Sequence, residues 1–299
     1  MEHSGTTRSM VADRPPDTVR MQVDGRDVAS YVWRSQLPAS TAPRPFLHPV
    51  RTLAGCLVTD ARPHSHTHQL GISIAAPDIG GRNFWGGRTF VAGHGPAWLD
   101  DHGAQRHRRW LRHTDSELAH TLQWVDADGA ALLRERRSID CAPLNDEAWT
   151  LGFRTRLTNA TDRPLPIRSP AALGRVGAGY GGFFWRGPAA TGDVRVLSPA
   201  GTGVRAVHGT TAPWVAVSGA DAAEREWTVL FLAADATTAG DRWFVRARDY
   251  LGVGSSLTWD RPLVLEPGAQ ITRHILAVVA DGTLSADAAA ALADATRPA

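Results

Sequence analysis

Alternation of apolar and polar residues, broken by turn signals about every ten residues, runs through most of this 299-residue chain. At positions 149–157, large apolar side chains alternate with arginine and threonine, as in an antiparallel strand that buries one face. The pattern recurs at residues 194–196, 214–217, 227–233, 263–265 and 271–279. No strand–helix–strand alternation accompanies it, so we predict an all-β fold, a large antiparallel β-sandwich.

Turn residues divide the predicted strands into hairpins. Asp24-Gly25 lies between strand patterns at 19–23 and 28–33, and Asp-Gly supplies the positive φ that a tight hairpin needs. A second hairpin is predicted over residues 117–140, with its turn at 126–129. These signals favour neighbouring strands that pair in sequence order.

One helix is predicted, at the C-terminal end. Residues 285–295 are rich in alanine, Ser285 is a candidate N-cap, and Asp287 falls in the first turn. Residues 1–17 lack periodicity and are predicted to be a disordered leader. No composition shift divides the rest, so residues 18–299 are predicted to form a single β-sandwich domain.

Composition excludes several functional classes. All 32 Lys+Arg residues are arginine, so Schiff-base catalysis, a pyridoxal phosphate anchor and a Walker A loop are absent. The net charge of +2 is spread along the chain, which predicts no nucleic-acid partner. The most basic segment, 106–113, is predicted to be a strand with a solvated face rather than a polyanion site.

Cysteine usage and hydropathy predict the compartment. Cys56 and Cys141 are too few for a disulfide framework, suit a reducing environment and are predicted to be buried or incidental. The sequence has no secretory signal pattern and no apolar run of 18 residues, so a cytoplasmic protein without a membrane partner is expected. A homodimer is compatible with this composition.

A run of histidines is the first candidate for a site. His48, His64, His66 and His68 precede the glycine- and aromatic-rich segment 83–87. On an extended strand, alternate side chains share one face, so the last three rings are predicted to point the same way. Imidazole transfers protons near neutral pH or binds metals, which makes His66, His68 and His48 candidate catalytic groups. No cofactor is expected; the alternative is a divalent transition metal bound by His64, His66 and His68.

Residues 174–187 are the second candidate. Six glycines surround Tyr180, Phe184, Trp185 and Arg186, which can stack on a sugar ring or pair with a carboxylate. A glycine-rich β-bulge carrying core aromatics is the structural alternative. The G-x-G-x-x-G spacing within it is not followed by a helix, so nucleotide binding is not supported.

Two further segments combine charge with aromatic or imidazole groups. In residues 243–250, one strand face is apolar and the other, which includes Arg246, is cationic. Four polar residues could supply an acid/base pair or a metal site, although loop polarity explains them more simply: His94, Asp100, Asp101 and His102.

Several motifs resemble the bacterial DUF6807 family, whose members are often labelled "PmoA". They are His48-Pro49-Val50-Arg51-Thr52, His66-Thr67-His68 before Gly71, Phe84-Trp85, and Gly177-Ala178-Gly179-Tyr180-Gly181-Gly182-Phe183-Phe184. The resemblance runs from about residue 44 to 280 and implies a galactose mutarotase-like supersandwich with a role in bacterial sugar catabolism. It does not extend to the genuine methane monooxygenase subunit, which is an integral membrane protein.

The chain departs from the family pattern at three positions. Gln69 and Leu70 stand where the family has a third histidine and an arginine, and Phe244 stands where a Trp-His pair is common. Polar functions of the family pattern are therefore missing. Either the substrate differs from that of typical members, or catalysis has been lost.

The leading hypothesis is a carbohydrate-active enzyme in which His66 or His68 acts as acid or base on a small carbohydrate or sugar acid. A lyase or epimerase ranks above a hydrolase because no paired carboxylates are evident. Six residues are predicted to bind substrate: Arg51, Trp85, Tyr180, Phe184, Arg186 and Arg246. The alternatives are a non-catalytic carbohydrate-binding or sensing protein and a histidine-ligated metal enzyme. One pocket is predicted to hold His48, His66, His68, Trp85, Tyr180 and Arg186.

Overall fold

Two antiparallel sheets pack face to face, and apolar side chains from both fill the space between them. The computed structural model describes residues 17–189 and 192–296. Within these residues the first sheet has seven strands, in the spatial order β1 (Asp17–Val23), β2 (Arg26–Arg34), β3 (Phe46–Val50), β4 (Ile72–Ala75), β13 (Gly182–Arg186), β19 (Gly252–Ser256) and β18 (Arg242–Arg246).

The second sheet has nine strands in the same described ranges. Their spatial order is β15 (Gly201–Thr202), β14 (Arg195–Ser198), β16 (Trp214–Ala220), β17 (Glu226–Ala233), β21 (Gln270–Asp281), β11 (Ala148–Asn159), β10 (Ala131–Asn145), β9 (Glu117–Val125) and β8 (Ala104–His113). The predicted large antiparallel β-sandwich is confirmed.

Smaller elements complete the fold. A three-stranded sheet joins β20 (Leu263–Leu265), β12 (Leu165–Arg168) and β5 (Asp78–Ile79), and a two-stranded sheet joins β6 (Thr89–Val91) and β7 (Gly95–Ala97). The helices are α1 (Val204–Val207), α2 (Ala286–Thr296) and the 3₁₀ turns Ala39–Thr41 and Thr238–Gly240. No helix in the described ranges is long and apolar enough to cross a membrane.

Both predicted hairpins are confirmed. Asp24 and Gly25 have φ of 49° and 74° and join β1 to β2. In the C-terminal helix, the Ala288 amide donates to Ser285 Oγ at 3.1 Å, as an N-cap requires. Of the predicted leader, residues 1–16 lie outside the described residues, whereas Asp17 already belongs to β1.

The two sheets present their outer faces differently. Helix α2 packs its buried Ala289 and Ala293 on the outer face of β16, β17 and β21, whose Leu230 and Val278 are fully buried. The other half of that face, on β8 to β11, carries exposed arginines. The outer face of the seven-stranded sheet is covered by loops. Both predicted cysteines, Cys56 and Cys141, are free and buried.

A chain of hydrogen bonds lies in the interior between the sheets. Arg137 Nη1 donates to Tyr31 Oη (3.2 Å), which lies 2.8 Å from His120 Nε2, and His120 Nδ1 lies 2.9 Å from His107 Nδ1. Arginine can only donate, so the Tyr31 oxygen accepts from Arg137, and Tyr31 and His107 are each hydrogen-bonded to one ring nitrogen of His120. We call these four residues the interior histidine chain. Arg137 also pairs with buried Glu135 at 2.8 Å.

Candidate functional site

A pocket of about 830 Å³ opens on the outer face of the seven-stranded sheet. Loops that follow β3, β5, β12 and β18 bring distant parts of the sequence to it. Its lining residues are His64, Ser65, His66, Thr67, His68, Gln69, Trp85, Gly86, Gly87, Arg88, Pro96, Trp98, Arg175, Ala178, Tyr180, Phe244, Arg246, Asp249 and Tyr250. Both segments singled out by sequence therefore meet on one side of the sandwich.

Aromatic rings form the floor. Trp85 lies 4.6 Å from Tyr180 and 4.9 Å from Phe184 between ring centroids, and Tyr180 lies 5.6 Å from Phe244. Phe184 is buried beneath Trp85 and does not line the pocket. The floor thus offers Trp85 and Tyr180 as apolar faces on which a sugar ring can stack.

A glycine on β19 makes room for this arrangement. A Cβ at Gly252 would lie 2.8 Å from Tyr250 Cε2 and 3.0 Å from Phe184 Cε2. Gly252 pairs with Arg186 on one side and Arg246 on the other, so both arginines flank the gap it leaves. The Tyr250 ring lies in that gap, with Arg186 Cζ 4.7 Å from its centroid.

The histidine segment is a pair of turns, so its predicted strand geometry is wrong. The His66 amide donates to the Pro63 carbonyl, and the Gln69 amide donates to the His66 carbonyl. Residues 64–68 are polar at every position, so no apolar face exists for a sheet to bury. The turns still bring His66 and His68 together, with ring centroids 5.9 Å apart.

Both pocket imidazoles favour the neutral form. Burial, then the charge of Arg44 and the neighbouring histidines, lowers the pKa of His68 to about 3. Burial and the Arg186 guanidinium lower the pKa of His66, and Asp249 opposes the shift. His66 Nδ1 lies 3.0 Å from Ser65 Oγ. A neutral imidazole can accept a proton from a substrate at neutral pH.

Two tyrosines line the same pocket. Tyr250 lies 5.4 Å from His66 between ring centroids and is hydrogen-bonded to Gln69. Burial raises the pKa of both Tyr180 and Tyr250, against the nearby arginine charges. Both phenols are therefore protonated at neutral pH and can donate. Among the described residues, the buried Gln69 Oε1 has no hydrogen-bond partner.

Positive charge dominates the pocket wall. Arg88, Arg175 and Arg246 line it, and none of them forms an ion pair within the described ranges. Asp249 is the one carboxylate among the described lining residues. Such a wall favours a ligand that carries negative charge.

Arg186 lies behind Tyr250 rather than in the pocket lining. The residue is 4% exposed, and its Nη2 reaches Asp60 Oδ2 at 3.6 Å. In the part of the chain that the structure describes, its Nε and Nη1 have no partner. Burial lowers its pKa, which Asp60 partly offsets. Arg186 therefore supplies charge to Tyr250 and His66 from below the pocket.

Sequence reasoning missed the residue that fixes the loops. Arg44 is 1% exposed; it donates to the carbonyls of Trp85 (3.1 Å) and His68 (2.9 Å) and to Ser73 Oγ (3.1 Å). These bonds tie the histidine turns to the Trp85 loop. Burial and Arg137 lower the pKa of Arg44 to about 9, so it remains charged at neutral pH.

Besides Phe184 and Arg186, two more predicted site residues, His48 and Arg51, lie outside the pocket lining. His48 is fixed on β3 by Thr59 Oγ1, 3.0 Å from its Nδ1, and Arg51 Nη1 donates to the Gly55 carbonyl. Neither lines the pocket, so the predicted convergence was too broad. Both belong to the motif at residues 48–52, in which the His48–Pro49 peptide bond is cis.

In the polar cluster of His94, Asp100, Asp101 and His102, two residues hold a loop in place. Asp101 accepts from Thr89 Oγ1 (2.8 Å), and His102 Nε2 lies 2.7 Å from the Gly87 carbonyl. His94 and Asp100 are exposed. These contacts position the Gly86-Gly87 turn against His68, consistent with loop polarity.

The metal site predicted from three histidines does not form among the described residues. Across residues 17–189 and 192–296, no three His, Cys, Asp or Glu side chains are grouped so that they could hold a metal ion. His64 is exposed at the rim, away from the pair formed by His66 and His68. The alternative ligand set of three histidines is therefore not assembled.

Tyr250, Gln69, Arg88 and Arg175 were not predicted as site residues. Tyr250 and Arg175 lie in segments whose mixture of aromatic and basic residues had been noticed. Their role depends on which loops meet over β19, and periodicity carries no such information.

Three solved structures are similar in fold at low identity. The Slr1438 protein from Synechocystis sp. PCC 6803 is 13% identical, with 94% of this chain and 100% of that chain covered and a TM-score of 0.46. The GalM/aldose epimerase homologue from C. elegans is 8% identical over 89% and 99%, with a TM-score of 0.32. The heparan sulfate lyase HepC from Pedobacter heparinus is 10% identical over 61% of this chain and 22% of that chain, with a TM-score of 0.27.

Comparison at the level of sequence gives a family. No curated protein matches the chain. The model of a family described as being of unknown function, DUF6807, matches residues 18–294, nearly the whole length and the same region that carries the motifs noted above. The chain belongs to the DUF6807 family.

Proposed function

We propose that the pocket binds a sugar acid and transfers protons at one of its carbons, as a lyase or epimerase does. The observation that carries this is the pairing of neutral His66 with protonated Tyr250 in a pocket walled by unpaired arginines. A base and an acid on one substrate are the minimum for moving a proton.

The lining supports a sugar acid as the substrate class. Trp85 and Tyr180 suit the apolar face of a sugar ring, and Gln69 Oε1 suits a hydroxyl that needs an acceptor. Arg246 and Arg175 suit a carboxylate, for which the guanidinium fork is shaped. A neutral sugar would use the first three groups, and a sugar acid would use all five.

The proposed step begins with His66 removing a proton from the carbon next to the substrate carboxylate. The electron pair moves into the carboxylate, forming an enediolate whose charge Arg246 and Arg175 stabilise. Tyr250 then donates a proton. Delivery to the opposite face of the carbon inverts it, whereas delivery to the oxygen on the next carbon expels that group and leaves a double bond.

Hydrolysis ranks below these reactions. Glycosidases ordinarily use two carboxyl groups on either side of the scissile bond. Only Asp249 is available among the described residues that line the pocket.

A thermal-shift screen followed by isotope exchange tests the proposal. A ligand at about 100 times its dissociation constant adds about 2.7 kcal/mol of stability, so uronic acids that bind are detected readily. In D₂O, the enzyme is expected to place deuterium on a carbon of the bound sugar acid, seen by mass spectrometry. His66→Gln should lower the exchange rate by about 10² to 10⁴, and exposed His94→Gln, the matched control, should not.

A second candidate, a carbohydrate-binding protein without catalysis, rests on Gln69 and Phe244. Both line the pocket at the positions where the chain departs from the family pattern. Binding of a sugar acid with no deuterium incorporation would favour this candidate. Binding of neutral sugars alone would contradict the acid-specific proposal.

A further inference from the structure

The outer face of the nine-stranded sheet concentrates arginine on strands β8, β10 and β11. We call this surface the arginine face; it consists of Arg108, Arg109, Arg134, Arg136, Arg154 and Arg156, all exposed. They line two adjoining depressions of about 410 and 220 Å³ that share Arg136 and Arg156. The face lies across the core from the sugar pocket.

The register places like charges side by side. Arg136 pairs directly with Arg156, and the same row continues through Thr121 to Arg109 on one side and to Thr272 on the other. Like charges directly opposite each other destabilise a sheet. The row therefore weakens the fold rather than supporting it.

No described carboxylate is ion-paired with the arginine face. Glu135 belongs to the lining of the larger depression, but its carboxylate points inward, where it accepts hydrogen bonds from Arg137, Trp124 and Thr155. The net charge of the whole chain is only +2, so this concentration is local.

The dimensions suit an extended ligand. Four strands about 4.8 Å apart and alternate residues about 6.8 Å apart place the guanidinium groups over a patch roughly 14 Å on a side. Guanidinium groups bind carboxylate and sulfate through paired hydrogen bonds. The six arginines are spread over this patch, so several anionic groups of one ligand can be bound at once.

We propose that the arginine face binds an anionic polysaccharide chain, separately from the pocket. This differs from the sequence-based interpretation of segment 106–113, because Arg108 and Arg109 of that segment are joined by the arginines of β10 and β11 only in the folded sheet. No aromatic side chain is among the described residues that line either depression, and sequence-tolerant binding of single-stranded nucleic acid relies on such rings for stacking. Polar Thr121, Gln123 and Thr158 between the arginines suit sugar hydroxyls. The inference does not depend on the reaction proposed for the pocket.

The test measures binding of fluorescently labelled chains by anisotropy at several salt concentrations. The probes are polygalacturonate, heparin, neutral dextran and an RNA of similar length. We expect binding to polygalacturonate or heparin, none to dextran, and a fall in affinity with salt as counterions are released. The two acidic chains distinguish a carboxylated from a sulfated ligand.

Variants assign the binding to this surface. The double variant Arg136→Ala, Arg156→Ala should lose at least about tenfold in affinity, because two charge-assisted contacts are removed. The matched control, Arg26→Ala with Arg195→Ala, removes two exposed strand arginines elsewhere and should change affinity by less than about twofold. His66→Gln should bind the chains normally, which separates this site from the pocket.

A melting curve shows whether the double variant is folded. Because Arg136 and Arg156 repel each other, removing both should leave the melting temperature equal or higher. Three results would overturn the proposal: neither acidic polysaccharide binds, the control double variant loses as much affinity as the test variant, or RNA binds more tightly than both polysaccharides.

Discussion

The pocket and the interior each hold a pair of neighbouring histidines, and both pairs have lowered pKa values. In the pocket, His66 and His68 have rings that face open space beside Tyr250. In the interior, both nitrogens of His120 are already used, by Tyr31 and by His107. Burial alone therefore does not mark a catalytic histidine; an unused nitrogen that a ligand can reach does.

The largest difference between the two regions should appear on removing charge. Arg137→Met leaves Glu135, which is 2% exposed, without its counter-ion, and we expect a loss of about 3 to 5 kcal/mol. The pocket control, Arg175→Met, removes an arginine with no ion pair and should lose less than about 1 kcal/mol. Urea unfolding measures both; equal losses would contradict the division into a stabilising interior and a permissive pocket.

Acid should destabilise the fold through buried histidines in both regions. Burial, with Arg137 and His107, lowers the pKa of His120 to about 2, whereas an unfolded histidine titrates near 6.5. Between these values the unfolded chain binds a proton that the folded one does not, so stability is lost as pH falls. The slope is about 1.4 kcal/mol per pH unit from this group, or about 2.7 kcal/mol between pH 6 and 4.

His68, with its pKa lowered to about 3, adds to the same trend. Unfolding free energies of the wild type and His120→Gln, measured from pH 7 to 4, test the assignment. The variant should be less stable at pH 7 and show the flatter slope. Parallel curves would mean that His120 does not carry the interior contribution.

A matched pair of tyrosines sharpens the comparison. Tyr31→Phe removes the hydroxyl that accepts from Arg137 and is hydrogen-bonded to His120, so we expect a loss of about 1 to 3 kcal/mol. Tyr250→Phe removes a hydroxyl at the pocket, where solvent can replace the bond to Gln69, and should change stability by less than about 1 kcal/mol. Denaturation midpoints for the two single variants decide the order.

The smallest stability effect is expected at His66. It lies on a turn and is half-buried, so His66→Ala should change the unfolding free energy by no more than about 0.5 kcal/mol. Any loss of deuterium exchange in that variant would then reflect chemistry. A loss of stability as large as that of Tyr31→Phe would place His66 with the structural group.

The strands were predictable because alternation along β11 reports directly which face is buried. The interior histidine chain was not, because β8 breaks the alternation. Register shifts between His107 and Arg109 and between Trp110 and Arg112 place His107 opposite Leu122 and Trp110 opposite His120, so both face inward. Segment 106–113 is indeed a strand, yet only part of it is solvated.

The site was predictable only as two segments. Glycine and aromatic residues marked the segments around His66 and Tyr180, which do share a pocket. The contacts of Arg44 join residues up to 41 positions apart, and nothing local in the sequence signals them. His48 was misplaced because proximity in sequence does not indicate which way a strand side chain points.

Gly252 determines how much space lies beneath the Tyr250 ring. The space under Tyr250 exists because β19 has no side chain there, and a Cβ would meet two aromatic rings at 3.0 Å or less. Any side chain at this position would push the Tyr250 ring toward the pocket, so the size of this one residue limits the room that a ligand has.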